Sequence, residues 1–172
     1  PTGQPSAVSF TDMNNGTIVG AWGSIVRTTD GGLNWIIQTS GTAAYLKGVS
    51  FTDSNNGTAV GDSSTILRTT DGGQNWIKQT VGTTTLLWLN GVCFTDVNNG
   101  TVVGNQGIIL RTTDGGQNWI SQSSGTTKYL RGVSFSDANN GTAVGESGII
   151  LRTNNGGTPV ELISFAASVL QN

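Results

Sequence analysis

Very few side chains in this sequence can do acid–base, nucleophilic or metal chemistry. It has no histidine, one cysteine, Cys93, and only Glu146 and Glu161 as glutamates, so the usual nucleophile, base and metal-ligand sets are missing. One acid pair remains to be weighed: Asp62 and Glu146 lie in equivalent loops of different repeats and, facing each other, would serve glycoside hydrolysis. Asp12-x-Asn14-x-Gly16 and its copies are oxygen-rich but lack the bidentate glutamate and ligand count that calcium prefers. No metal or other cofactor is expected. Arg27, Arg68, Arg111 and Arg152 recur at one position of a repeat. A residue present in every copy usually serves the copy, so these arginines are expected to brace the scaffold through hydrogen bonds to neighbouring loops, and the chain is expected not to be an enzyme.

The repeat is plain in Val8-Ser9-Phe10-Thr11-Asp12, Val49-Ser50-Phe51-Thr52-Asp53, Val92-Cys93-Phe94-Thr95-Asp96 and Val133-Ser134-Phe135-Ser136-Asp137, whose starts are 41, 43 and 41 residues apart. A period of this size means a solenoid, a propeller or an array. Four copies use nearly all of the 172 residues. Charged residues are 10% of the chain and the net charge is −2, with the cations spread through the repeats, so nucleic acid is not an expected partner. No apolar run approaches the length of a transmembrane helix. Cys93 stands where the other copies have Ser9, Ser50 and Ser134, which reads as a packed strand thiol.

Each copy divides into four short strands. In the second, Leu46 to Thr52 alternates a large face (Val49, Phe51) with a small one (Gly48, Ser50), a period of two. Asn56-Gly57 predicts the positive φ angles of a tight hairpin turn. Thr58 to Gly61, Thr65 to Thr70 and Trp76 to Thr80 supply three more strands. Four antiparallel strands in about 41 residues make a propeller blade. One blade cannot bury enough on its own, so neighbouring blades must cover both faces of each sheet, the small face of one receiving the large face of the next. The expected fold is therefore all-β: a β-propeller of four four-stranded antiparallel blades, over about 7–41, 45–82, 88–125 and 129–165 within a domain of 1–165. Residues 166–172 are left as a tail or junction.

Thr28-Thr29-Asp30-Gly31-Gly32-Leu33-Asn34-Trp35 resembles the Asp-box repeat of bacterial neuraminidases and other propellers, and Thr69 to Trp76 and Thr112 to Trp119 match it equally. The fuller wording, Gly-Val-Ser-Phe-x-Asp, Gly-Thr-x-Val-Gly and Ile-Leu-Arg-Thr-Thr-Asp-Gly-Gly-x-Asn-Trp, is similar to the photosystem II assembly-factor-like propeller family and its secreted bacterial relatives. The resemblance covers residues 7 to 157. It implies a propeller and says little of activity, since the repeat occurs in assembly factors, lectins and hydrolases alike. In the family the box is a structural hairpin loop between the third and fourth strands. Asp30, Asp71 and Asp114 would accept N–H groups of their own turn, Gly32, Gly73 and Gly116 would permit positive φ, and Trp35, Trp76 and Trp119 would plug the gap between adjacent sheets. The fourth copy has Asn155 in place of the aspartate and Val160 in place of the tryptophan.

Positions that differ between copies are better guides to a partner. The loops between second and third strands carry Trp22, Asp62, Asn105 and Glu146, and the connections between blades carry Tyr45 with Lys47, Trp88 with Asn90, and Tyr129 with Arg131. Together these would ring one face with aromatics, amides and charges suited to a protein or glycan ligand; alternatively the aromatics pack between blades. The expected function is a non-enzymatic binding or structural module, with a lectin and a glycoside hydrolase as the other readings. The strand expected over Val160 to Phe165 completes its own blade or a sheet in another copy, giving a homo-oligomer or filament. The low charge and the start at Pro1 suggest a processed protein, extracellular or on a cell surface. Four Asn-Gly-Thr triplets, at Asn15, Asn56, Asn99 and Asn140, are formal glycosylation sites or simply turns.

Overall fold

A computed structural model of the chain describes residues 3–81 and 86–156, with the backbone of 163–164. Each repeat folds into one antiparallel sheet whose strands follow chain order. The first sheet holds β1 (Pro5–Phe10), β2 (Gly16–Gly20), β3 (Ile25–Thr28) and β4 (Ile36–Gln38). The second holds β5 (Leu46–Phe51), β6 (Gly57–Gly61), β7 (Thr65–Thr69) and β8 (Ile77–Lys78). The third holds β9 (Leu89–Phe94), β10 (Gly100–Gly104), β11 (Ile109–Thr112) and β12 (Ile120–Gln122). In the fourth, β13 (Leu130–Phe135), β14 (Gly141–Gly145) and β15 (Ile150–Thr153) are joined by β16 (Ile163–Ser164). The pairing of β16 with Leu151 and Arg152 is within its own sheet, while the expected tail over 166–172 lies outside the described residues.

The first strands of successive sheets pack side by side, β1 on β5, β5 on β9 and β9 on β13. This is the hub of a propeller, and small residues make it possible. A Cβ on Gly48 would lie 3.3 Å from Gly91 Cα, and one on Gly91 would lie 3.4 Å from Gly132 Cα. Polar ties cross the same seam. The amides of Phe51 and Phe94 donate to Ser9 Oγ and Ser50 Oγ at 3.1 and 3.0 Å, and that of Phe135 donates to Cys93 Sγ at 3.3 Å. Cys93 is thus a packed strand residue, and burial raises its thiol pKa.

The core lies in three layers between sheets rather than in one centre. Val19 and Ile25 of the first sheet meet Val49, Phe51, Leu67 and Trp76 of the second. Val60 and Ile66 meet Phe94, Leu110 and Trp119, and Val103 and Ile109 meet Leu130, Ala143 and Leu151. Each sheet therefore gives its valine and isoleucine forward and receives the next on its aromatic face. Among the described residues no comparable packing joins β13 back to β1, so these four blades form an open arc.

One local expectation is corrected. Neither residue of any Asn-Gly-Thr turn has positive φ. The turn is closed instead by an aspartate: Asp53 Oδ1 accepts the amides of Asn55 and Asn56 at 2.7 and 2.9 Å. Glycine is needed for a different reason, because a Cβ on Gly57 would fall 2.3 Å from the Phe51 ring, which lies over it. The same holds for Gly16, Gly100 and Gly141 beneath Phe10, Phe94 and Phe135.

Candidate functional site

A four-stranded meander places its β1–β2 and β3–β4 turns at one end of the sheet and its β2–β3 turn and the link to the next blade at the other. The first end is uniform. Asp30, Asp71 and Asp114 each accept an asparagine amide at 2.9 Å, from Asn34, Asn75 and Asn118. Each also accepts a threonine hydroxyl at 2.8 Å, from Thr28, Thr69 and Thr112. These bonds to the charged form hold the three carboxyls at about 2, well below the usual value. Gly32, Gly73 and Gly116 turn the loop at φ of 92°, 86° and 89°. Trp76 and Trp119 stand edge-on to Phe51 and Phe94, 5.9 and 6.1 Å between centroids, and their indole N–H groups reach Gln38 and Gln79 of the preceding blade. Trp35 makes the same edge contact with Phe10 but faces no preceding blade.

The arginines do brace the blades. Arg27, Arg68 and Arg111 are buried and donate across the seam to the carbonyls of Ser54, Val97 and Ala138, at 2.6, 3.1 and 2.5 Å. Each lies over the next blade's phenylalanine, 5.2 to 5.6 Å from the ring centroid. The asparagine Nδ2 groups of Asn15, Asn56, Asn99 and Asn140 each reach both oxygens of the aspartate three residues earlier. A glycan on any of them would disturb that pairing, which favours the reading as turns.

The opposite end differs from blade to blade. Lys47 Nζ lies 2.5 Å from Asp62 Oδ1 and is stacked between two rings, 5.8 Å from the Tyr45 centroid and 5.2 Å from that of Trp88. Tyr45 and Trp88 come from consecutive blades, so this cation joins them. Asn105 is buried and turned inward, its Oδ1 accepting the Trp88 amide at 2.7 Å. In the fourth blade Arg131 lies 5.7 Å from the Tyr129 centroid and is paired with Glu146. Trp22, in the first blade, is 78% exposed. Its φ of 61° is one that bulky residues rarely adopt. Trp88 is 51% exposed, and Leu86 beside it is exposed as well.

Asp62 and Glu146 are thus each neutralised by a cation of their own blade. What the face offers is stacking surface with compensated charge beneath it. Lys47 was legible as a face residue, but its position between two aromatics was not, because Tyr45 and Trp88 are far apart in the chain. The inward turn of Asn105 was hidden for the same reason.

The sequence matches the family described as photosynthesis system II assembly factor YCF48 over residues 37–124 and 81–169. Among solved structures, one described as YCF48 bound to D1 peptide is 27% identical, with a TM-score of 0.73, and the match covers 88% of this chain and 50% of that one. YCF48 from Cyanidioschyzon merolae is 24% identical with a TM-score of 0.70, covering 86% and 52%. An ancestral GH74 enzyme is 15% identical with a TM-score of 0.74, covering 98% and 26%, a likeness of fold alone. No curated protein matches. The chain spans about half the length of the YCF48 structures. The family match overturns the expected extracellular, secreted location, since a photosystem is assembled inside the cell. The low charge and the wealth of Thr, Ser, Asn and Gly reflect what four sets of aspartate-closed turns and close-packed strands require, and carry no address.

Proposed function

We propose, for a chain that belongs to the photosynthesis system II assembly factor YCF48 family, a non-enzymatic role: a β-propeller module that binds a peptide segment of a partner protein on its divergent face. The observation that carries this reading is the half-exposed Trp88 ring stacked on Lys47, whose charge Asp62 already neutralises, at an end of the blades where Trp22 is also exposed and Arg131 is paired with Glu146. Aromatic side chains supply contact area at small entropic cost and are enriched where proteins bind. The relative described as bound to a D1 peptide supports the same class of ligand. A hydrolase would need one free acid near neutral pH and a second carboxylate facing it, whereas Asp62 and Glu146 each engage a cation.

The test is to screen the chain against a random peptide display library, a glycan array and a panel of soluble β-glucans. Enriched peptides with no glycan binding and no released sugar are expected. Binding to glycans alone would favour a lectin, and release of reducing ends would make the chain a hydrolase.

A further inference from the structure

Lys47 stands on its inner strand where Ser6 and Asn90 stand on theirs, yet it does something different. Those short side chains are spent on the next blade's backbone, Ser6 Oγ donating to the Leu46 carbonyl and Asn90 Nδ2 to that of Leu130. Lys47 instead puts its ammonium between the Tyr45 and Trp88 rings, with Asp62 as counter-ion. Both rings are held through their backbones. The Tyr45 carbonyl accepts the Asp62 amide at 3.0 Å. Trp88 exchanges two bonds with Asn105, its amide donating to Oδ1 at 2.7 Å and its carbonyl accepting the Asn105 amide at 2.9 Å. Two fixed rings and a carboxylate are the fittings of a cation-binding clamp. This clamp is filled by the chain's own lysine, whose side chain is only 23% exposed.

Resting on the peptide-binding reading above, we infer that Lys47 sets the specificity of this face: it turns basic side chains away and leaves Trp88 to an aromatic side chain of the partner. A lysine or arginine arriving here finds the ring pair and the carboxylate both taken, and would give up its own hydration without compensation. An aromatic ring needs neither a counter-ion nor the space that Lys47 fills. It lies on the free surface of Trp88, with the exposed Leu86 beside it, and ring-on-ring contact adds to the apolar area buried. Selectivity then comes from blocking one class of ligand as well as from favouring another. The site lies at the seam between the second and third blades, with a packed blade on each side of it.

The experiment follows the Trp88 indole N–H by heteronuclear NMR, assigned with Trp88→Phe, in the 172-residue chain. The probes are p-cresol, equivalent to a tyrosine side chain, and tetramethylammonium, a bare organic cation. The wild type is expected to respond to p-cresol and not to tetramethylammonium at the same concentrations. Lys47→Ala empties the clamp and frees Asp62, and is expected to bind tetramethylammonium at least about tenfold more tightly than the wild type. Lys47→Arg refills the clamp and should reject the cation again. A wild type that binds tetramethylammonium at Trp88, or fails to respond to p-cresol, overturns the proposal, as does a Lys47→Ala variant that gains no cation binding. The peptide library separates the two claims. Enrichment of lysine- or arginine-bearing peptides overturns the selectivity and leaves peptide binding standing, whereas no enriched peptide overturns both.

Discussion

At the Asp-box end, three blades repeat one set of bonds almost without variation: Thr28, Thr69 and Thr112 donate to their aspartates at 2.8 Å, and the same hydroxyls accept the amides of Gly32, Gly73 and Gly116 at 2.8 Å. At the opposite end the same positive φ, between 55° and 61°, is carried by three residue types at four positions, Trp22, Ser63, Gln106 and Ser147. The backbone is common to both ends, so the difference lies in what each side chain is asked to do. Where a residue bonds its own turn or the next blade, any change is felt by the fold. Where it points to solvent, the scaffold tolerates change.

The contrast is broken most strongly by removing an inter-blade plug. Trp76→Ala and Trp119→Ala are expected to destabilise the fold by about 3–5 kcal/mol each, and Trp35→Ala by less than half of that, since it is 36% exposed. Denaturant midpoints would check this, and equal losses at all three would show that the plugs do not work between blades. Next in size is Arg68→Ala, which leaves the Val97 carbonyl without its donor at the seam and is expected to cost about 2–3 kcal/mol.

Acid should act on the same end. The Asp-box carboxyls fall from an ordinary 3.8 to about 2 on folding, so the unfolded chain binds more protons in that range. Their stabilisation is complete above the unfolded value and is lost as pH falls from about 4 towards 2. Denaturant midpoints should be flat from neutral pH to about 5 and then decline. Asp71→Asn should soften that decline, since Asn155 already substitutes in the fourth blade, where the Thr153 hydroxyl still reaches its Oδ1 at 2.9 Å. The smallest effect is expected at the divergent end: Trp22→Gly removes a bulky residue from φ of 61° and should raise stability by up to about 1 kcal/mol. A loss of stability there would mean that Trp22 packs in solution.

The family and the propeller fold were legible because the repeat writes each structural residue several times, and Asp30-Gly31-Gly32 with Trp35 is a local pattern. What failed was non-local. Asn56-Gly57 was read correctly as a hairpin turn but for the wrong reason: no positive φ is used, the glycine answers to the Phe51 ring and the turn to Asp53. Asn105 looked like a face residue, yet it holds the Trp88 amide from beneath. The open ends of the arc depend on which blades meet, and Phe10 and Phe51 read alike until their neighbours are known. Cellular location was misread because composition followed the needs of the turns.

We propose that the divergent face binds peptide while the Asp-box end holds the fold. The most direct test is the affinity of a library-selected peptide for the wild type and for Trp22→Ala/Trp88→Ala, by isothermal calorimetry, beside the denaturant midpoints of both. A loss of affinity of at least about tenfold with an unchanged midpoint is expected; unchanged affinity, or a fold that weakens in step with binding, would contradict peptide binding on this face.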